Sequence, residues 1–94
     1  MVESQVEGGA LTIAVQGRFD FSTHQEFKSA YEGRNSERFC VDLRNATYID
    51  SSALGMLLLL RDHAGESPVS IVNCNPVVRK ILTISNFEQL FDIH

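Results

Sequence analysis

Basic residues are in short supply. Eight Lys and Arg stand against twelve Asp and Glu, for a formal net charge of −4. Nucleic acid and anionic membranes both reward a basic face, so neither is expected as the main partner. Long apolar runs are missing too: the longest, Met56 to Leu60, is far too short to span a bilayer. Tryptophan is absent, and the only cysteines, Cys40 and Cys74, lack Cys-x-x-Cys spacing. They read as buried strand-end thiols in a reducing compartment, not as a disulfide or metal pair. His24, His63 and His94 are equally scattered and have no ligand spacing, so neither metal nor other cofactor is expected. Gly8-Gly9 and Gly55 form no phosphate-binding loop and no dinucleotide fingerprint. Met1-Val2-Glu3-Ser4-Gln5 has neither the basic start nor the apolar core of a secretory signal. A cytoplasmic protein is the expectation.

What is present suits one small domain, residues 1–94, with 44% apolar and 21% charged residues. A chain of this length buries about 60–70% of its unfolded surface, enough for one core. Val2 to Val6 reads as an edge strand, turned by Glu7-Gly8-Gly9 into a second strand, Ala10 to Gly17. There Leu11, Ile13 and Val15 alternate with polar or small residues. Gly17 to Phe21 then leads out of the sheet. Ser22 or Thr23 suits an N-cap, with Glu26 closing a capping box from Thr23, and the helix carries Phe27, Ala30 and Tyr31 inward to about Gly33. Arg38 to Leu43 reads as an interior strand and Arg44 to Ile49 as an irregular connection. A central helix from Asp50 to about Ala64 comes next, then a strand over Val69 to Cys74. Asn75 caps a third helix with Pro76 in its first position and Val77, Ile81, Leu82 and Ile84 inward. Leu90 to Ile93 alternates like a last strand. Strands alternating with helices after an opening hairpin imply a largely parallel sheet with an antiparallel edge.

The central helix concentrates the chemistry. Asp50-Ser51-Ser52 supplies three successive residues of the helix-capping type. At 100° per residue, Ala53, Met56, Leu57, Leu60 and Ala64 share one side, the expected core face. Ser51, Gly55, Leu58 and Asp62 share the opposite side, flanked by Leu59. They form a small apolar platform with a hydroxyl at its tip, unless another element covers the leucines. From these residues alone, plain capping is the simpler reading of Ser51. Asp20 and Asp50 have no histidine or nucleophile partner in the sequence, so no enzymatic activity is expected.

Three segments resemble the STAS family in order and at fitting spacings, across essentially the whole chain. Within it the likeness is to the stand-alone anti-sigma factor antagonists, or anti-anti-sigma factors, of bacteria. Gly17-Arg18-Phe19-Asp20 is similar to the family's Gly-x-Leu-Asp. Val41-Asp42-Leu43, followed by Tyr48-Ile49-Asp50-Ser51-Ser52-Ala53-Leu54-Gly55, is similar to its third strand and signature Asp-Ser-Ser-Gly-Leu-Gly. Cys74-Asn75-Pro76-Val77-Val78-Arg79-Lys80-Ile81-Leu82 is similar to its fourth strand and next helix. Ala53 replaces the usual glycine and Phe19 the usual leucine; alanine is the better helix former. The resemblance implies an α/β STAS (SpoIIAA-like) fold, a mixed four- to five-stranded sheet with helices packed mainly on one face.

It also implies a switch. Ser51 would be phosphorylated by an anti-sigma factor that is also a serine kinase, and unphosphorylated protein would bind that partner and free a sigma factor. A PP2C-type phosphatase would reset the cycle. Asp50, Ser52, Gly55 and Asp20 would support the motif, and Leu58, Leu59, Asp62, Asp20 and Phe21 would meet the partner. Self-association through Leu58 and Leu59 is left open, with a monomer the expected state. Two other readings stand beside this one. One is a STAS accessory or regulatory subunit of a transporter, or of a biofilm or motility pathway without a sigma factor output. The other is a phosphorelay receiver using Asp42 or Asp50, which needs five βα units and an acidic pocket after the first strand.

Overall fold

Period-two alternation builds the main sheet. The computed structural model describes residues 1–94 and opens with β1 (Val2–Glu7) and β2 (Ala10–Val15), antiparallel around Gly8-Gly9. Both glycines have positive φ, 57° and 80°, as a tight two-residue hairpin of the type I′ kind demands. The chain continues through β3 (Gly17–Phe19), α1 (His24–Tyr31), β4 (Arg38–Asp42) and β5 (Ala46–Ile49). It ends with α2 (Ser51–Ala64), β6 (Val69–Val72), α3 (Pro76–Ile84) and β7 (Asp92–Ile93). Five strands form one sheet in the order β1-β2-β4-β6-β7, parallel except for the β1 edge. This is the antiparallel-edged parallel sheet that the element order predicts.

One face of that sheet is buried and the other is open. Leu11, Ile13, Val15, Phe39, Val41, Val69 and Ile71 are buried, while Thr12, Ala14, Cys40, Asp42 and Ser70 between them stay partly exposed. The helices therefore cover a single face. Phe27, Ala30 and Tyr31 of α1, Ala53, Met56, Leu57 and Leu60 of α2, and Val78 and Leu82 of α3 join the strands in one cluster of 22 buried residues. Truncating a fully buried leucine such as Leu57 or Leu60 costs about 2–5 kcal/mol, so the inner side of α2 anchors the domain. The core face expected of α2 is the observed one, with Ala64 only half-buried at its end. No helix is long and apolar enough to cross a membrane.

Several local expectations are corrected. Gly17 to Phe19 does not simply leave the sheet, and Arg44 to Ile49 is not irregular throughout. β3 and β5 pair in parallel as a separate two-stranded ribbon. The capping box from Thr23 to Glu26 does not form. Thr23 Oγ1 donates back to the Asp20 carbonyl at 2.8 Å, and Glu26 accepts the Val2 N–H at 3.3 Å instead. A 3-10 turn over Phe21–Thr23, capped by Asp20, comes before α1. In α3, Val78 and Leu82 point inward at i and i+4, leaving Val77 and Ile84 exposed at 69% and 70%. Those two lie seven residues apart, on the opposite side of a 3.6-residue helix. Asn75 does cap α3, accepting the Val78 N–H at 2.9 Å. Cys40 and Cys74 are free, as expected, but neither is fully buried. Cys40 sits mid-strand on the open face, and Cys74 lies beyond β6 against the core edge.

Candidate functional site

The small ribbon fixes the site. β3 and β5 place Arg18 beside Tyr48 and Phe19 beside Ile49, with a register shift between Gly17 and Arg18. Phe19 and Ile49 enter the core. Successive strand residues point to opposite faces, so Arg18 and Tyr48 lie on the outer face, as their exposure requires. Carrying the register one step further brings Asp20 beside Asp50, and each then starts a helical turn. Both have extended backbone, with φ −143° and ψ −168° at Asp20 and φ −131° and ψ −174° at Asp50.

Each carboxylate also makes the same kind of cap. Asp20 Oδ1 accepts the Ser22 N–H at 2.9 Å and the Ser22 hydroxyl. Asp50 Oδ1 accepts the Ala53 N–H at 3.1 Å and the Ser52 hydroxyl at 2.6 Å. These bonds reach first-turn amides that have no partner inside the helix. The Ser22 hydroxyl, followed by the Arg18 guanidinium, holds the Asp20 carboxyl below the usual carboxylate range. The Ser52 hydroxyl does the same for Asp50, against opposing pushes from desolvation and, more weakly, from the negative charge of Asp20. Ser52 thus supports the first turn, and Asp20 shapes the neighbouring loop.

Ser51 is left over. Asp50 caps the helix, and the exposed Ser51 hydroxyl makes no hydrogen bond to the rest of the chain. The plain capping reading therefore does not describe it. Along the same side, Leu58 and Leu59 are 42% and 54% exposed and Asp62 is exposed, so no other element covers the platform. A Cβ added to Gly55 would meet nothing within 4 Å. Its own fold gives no reason for a glycine there, and a mid-helix glycine costs about 0.5–1 kcal/mol relative to alanine. Phe21 occupies the place after Asp20 that Ser51 occupies after Asp50. It is 72% exposed and stacks on His24 with ring centroids 5.3 Å apart.

Two members of this outer face escape a reading of the sequence. Arg18 Nε lies 3.0 Å from Asp20 Oδ2, and its Cζ sits 4.1 Å above the centre of the Tyr48 ring. The only signal is the i, i+2 spacing of Arg18 and Asp20, which puts both on one face of a strand. Tyr48 has no signal without the β3–β5 pairing. Asp42 accepts the Arg44 N–H at 2.9 Å and an Asn73 side-chain N–H at 3.2 Å, which ties two loops together beyond β4.

A family model described as "Mlab, STAS domain" matches residues 2–92. The chain belongs to the STAS family. A STAS-domain containing protein of Pseudomonas aeruginosa, strain UCBPP-PA14, is 65% identical over 91 residues, covering 93% of this chain and 90% of that one. An anti-sigma F factor antagonist of Paenibacillus polymyxa is 26% identical over 99% of this chain and 85% of its own. Among solved structures, an anti-sigma factor antagonist from Mycobacterium paratuberculosis superposes with TM-score 0.87 at 16% identity. That match covers 100% of this chain and 84% of the other. The unphosphorylated form of the anti-sigma factor antagonist SpoIIAA gives TM-score 0.82 at 16% identity, over 100% and 88%. The α/β SpoIIAA-like architecture expected from the motifs is the observed one. With three helices on one sheet face, this STAS domain lacks the five βα units that a phosphorelay receiver requires.

Proposed function

We propose that the 94 residues act as one STAS domain whose surface at the head of α2 is a phosphorylation-controlled protein-interaction switch, an anti-sigma factor antagonist. The observation that carries this reading is Ser51: an unbonded, exposed hydroxyl at the first turn of α2, beside the uncovered Leu58 and Leu59. The relatives named as anti-sigma factor antagonists support the class of partner. In the unmodified state, Leu58, Leu59, Asp62, Phe21 and the Asp20 edge meet an anti-sigma factor with serine kinase activity. That kinase modifies Ser51 and releases the domain, and a PP2C-type phosphatase restores binding. The cycle operates in the cytoplasm, and the domain itself catalyses no step.

The physical argument favours an interface switch over refolding. A phosphate adds about −1.5 to −2 charge at the start of α2. The helix dipole and first-turn amides favour that charge by about 0.3–1 kcal/mol per unit. The Asp50 carboxylate opposes it by roughly 1–1.5 kcal/mol at about 6 Å in water-like dielectric. These contributions nearly cancel, so the fold tolerates the modification. A partner that buries the same spot must desolvate a dianion, at several kcal/mol unless paired, which is a hundredfold or more in affinity.

The test is to purify the protein from its host and locate any phosphate by mass spectrometry. Pull-downs then compare wild type, Ser51→Ala and Ser51→Asp. Ser51→Asp is expected to lose partners that Ser51→Ala keeps, and identical partner sets would refute the switch. Leu58→Glu separates surface from core: it is expected to leave the melting temperature in place and abolish capture. A second reading, an accessory subunit of a transporter, rests on a sulfate transporter family protein from Wolinella succinogenes with the same fold, TM-score 0.77 at 16% identity. Capture of a transporter subunit regardless of the charge at Ser51 would favour it.

A further inference from the structure

The outer face of the β3–β5 ribbon carries a cation that the fold itself engages only in part. Arg18 is the only Lys or Arg before Lys28, and no Lys or Arg lies between Arg44 and Arg61. It is the single basic side chain within β3 and β5, beside Tyr48 and two residues before Asp20. Its Nε is bonded to Asp20 Oδ2 at 3.0 Å, and its guanidinium rests on Tyr48, the residue two before Asp50. The clasp crosses from β3 to β5. Nε makes the one side-chain hydrogen bond, and neither Nη group makes one. A guanidinium offers five N–H donors in a planar fork, so two Nη groups remain for a second anion while Asp20 keeps Nε. Arg18 precedes Asp20 by two residues, and Ser51 comes one residue after the neighbouring Asp50. At about 3.3 Å per strand residue and about 4.8 Å between strands, this separation of roughly 11 Å is within the combined reach of an arginine and a phosphoserine.

We infer that Arg18 is the internal phosphate ligand of this domain: a positioning residue that receives the phosphoserine at position 51 on its free Nη groups. Asp20 and Tyr48 hold the guanidinium in place beforehand, so little side-chain freedom is lost when the phosphate arrives. This rests on the proposal that Ser51 is the modified residue and adds to it the group that balances the new charge. Without Arg18, the phosphate faces Asp20 and Asp50 alone. Its protonated monoanion is then favoured over the dianion, and its second pKa rises. With Arg18 the dianion is retained, and because a single guanidinium leaves it a net negative charge, it still opposes burial by a partner.

The experiment uses the full chain with phosphoserine installed at position 51 by genetic code expansion, so that no kinase is needed. Phosphorus NMR then reads the second pKa of the phosphate. Arg18→Ala is expected to raise it by about half a unit or more, and Arg18→Lys to recover part of the shift. Arg44→Ala, at the far end of β5, is expected to leave it unchanged. An unchanged value in Arg18→Ala, with a folded spectrum, overturns the inference. His24, stacked on Phe21, is the other nitrogen donor along this edge, so the titration is repeated in His24→Gln. A shift there without one in Arg18→Ala would assign the phosphate to His24 and equally overturn it. Neither result bears on whether a phosphate at position 51 blocks partner capture, so the two proposals fail separately.

Discussion

Asp20 and Asp50 make the same structure twice. Each ends a short strand of one parallel ribbon, each has extended backbone, and each accepts a backbone amide and the hydroxyl of the serine two residues on. They differ in the residue displayed after the cap and in the helix that it opens. Asp20 opens a 3-10 turn and an eight-residue helix and displays Phe21, whereas Asp50 opens a fourteen-residue helix and displays Ser51. The cap itself is therefore generic. Chemistry enters at the first residue after it, once as an exposed aromatic ring and once as an unbonded hydroxyl. Under the proposed switch, the first would supply affinity for a partner and the second would remove it.

The comparison is broken most severely at the ring. Exposed aromatics that become buried at interface centres contribute about 2 kcal/mol or more, so under the proposed switch Phe21→Ala is expected to weaken partner capture about thirtyfold. Its melting temperature should hold, because the side chain is 72% exposed. Titration calorimetry against the captured partner decides it, and unchanged affinity would reduce Phe21 to a bystander of the Asp20 turn. Next come the caps. Asp50→Ala removes an acceptor for the first turn of the longest helix and should cost about 1 kcal/mol in denaturant unfolding. Asp20→Ala, beneath a short 3-10 turn, should cost less, and the reverse order would mean that the α1 entry is the more critical of the two.

How far these turns are legible depends on element length. The α2 inner face can be read because Ala53, Met56, Leu57 and Leu60 repeat over several turns, and β2 because Leu11, Ile13 and Val15 alternate over a full strand. β3 and β5 cannot be read. They span three and four residues, and the register shift at Gly17-Arg18 breaks their alternation. Without the ribbon, the neighbourhood of Asp20 and Asp50, Arg18 and Tyr48 is invisible, although each acid stands out singly. Thr23 misleads because Asp20, Ser22 and Thr23 all have capping side chains within four positions. The hydrogen bonds, not the composition, decide among them. In α3 the apolar positions Val77, Ile81, Leu82 and Ile84 spread around the helix, and only packing shows that Val78 and Leu82 face inward.

A smaller effect sharpens the contrast between the α2 outer face and its own fold. Gly55→Ala is expected to stabilise the domain by about 0.5–1 kcal/mol, because the added methyl meets no atom and alanine restricts the unfolded chain. The same change should weaken partner capture if a partner backbone comes close at that step of the platform. Thermal unfolding and pull-down on one preparation give both signs. Stabilisation with unimpaired capture would show that the platform is met only at Leu58, Leu59 and beyond.

The mildest perturbation removes charge from the two caps and leaves their hydrogen-bond acceptors in place. Both carboxyls are held below their ordinary range in the folded chain, Asp20 chiefly by Ser22 and Asp50 chiefly by Ser52. A depressed folded value means that the unfolded chain binds protons first as acid is added. The contribution to stability is therefore complete above the unfolded carboxylate value of about 3.9 and is lost as pH falls through the lower folded values. Asparagine caps helices about as well as aspartate, so Asp20→Asn and Asp50→Asn should unfold much like wild type at pH 7. They should also show a shallower loss of melting temperature between about pH 5 and pH 2. Asp20 has two hydrogen-bonding partners for its charge, Ser22 and Arg18, and Asp50 also senses the negative charge of Asp20. The double variant should therefore depart from the sum of the singles, as expected for charges that interact. Strict additivity would mean that the two caps, although neighbours in the fold, titrate as strangers.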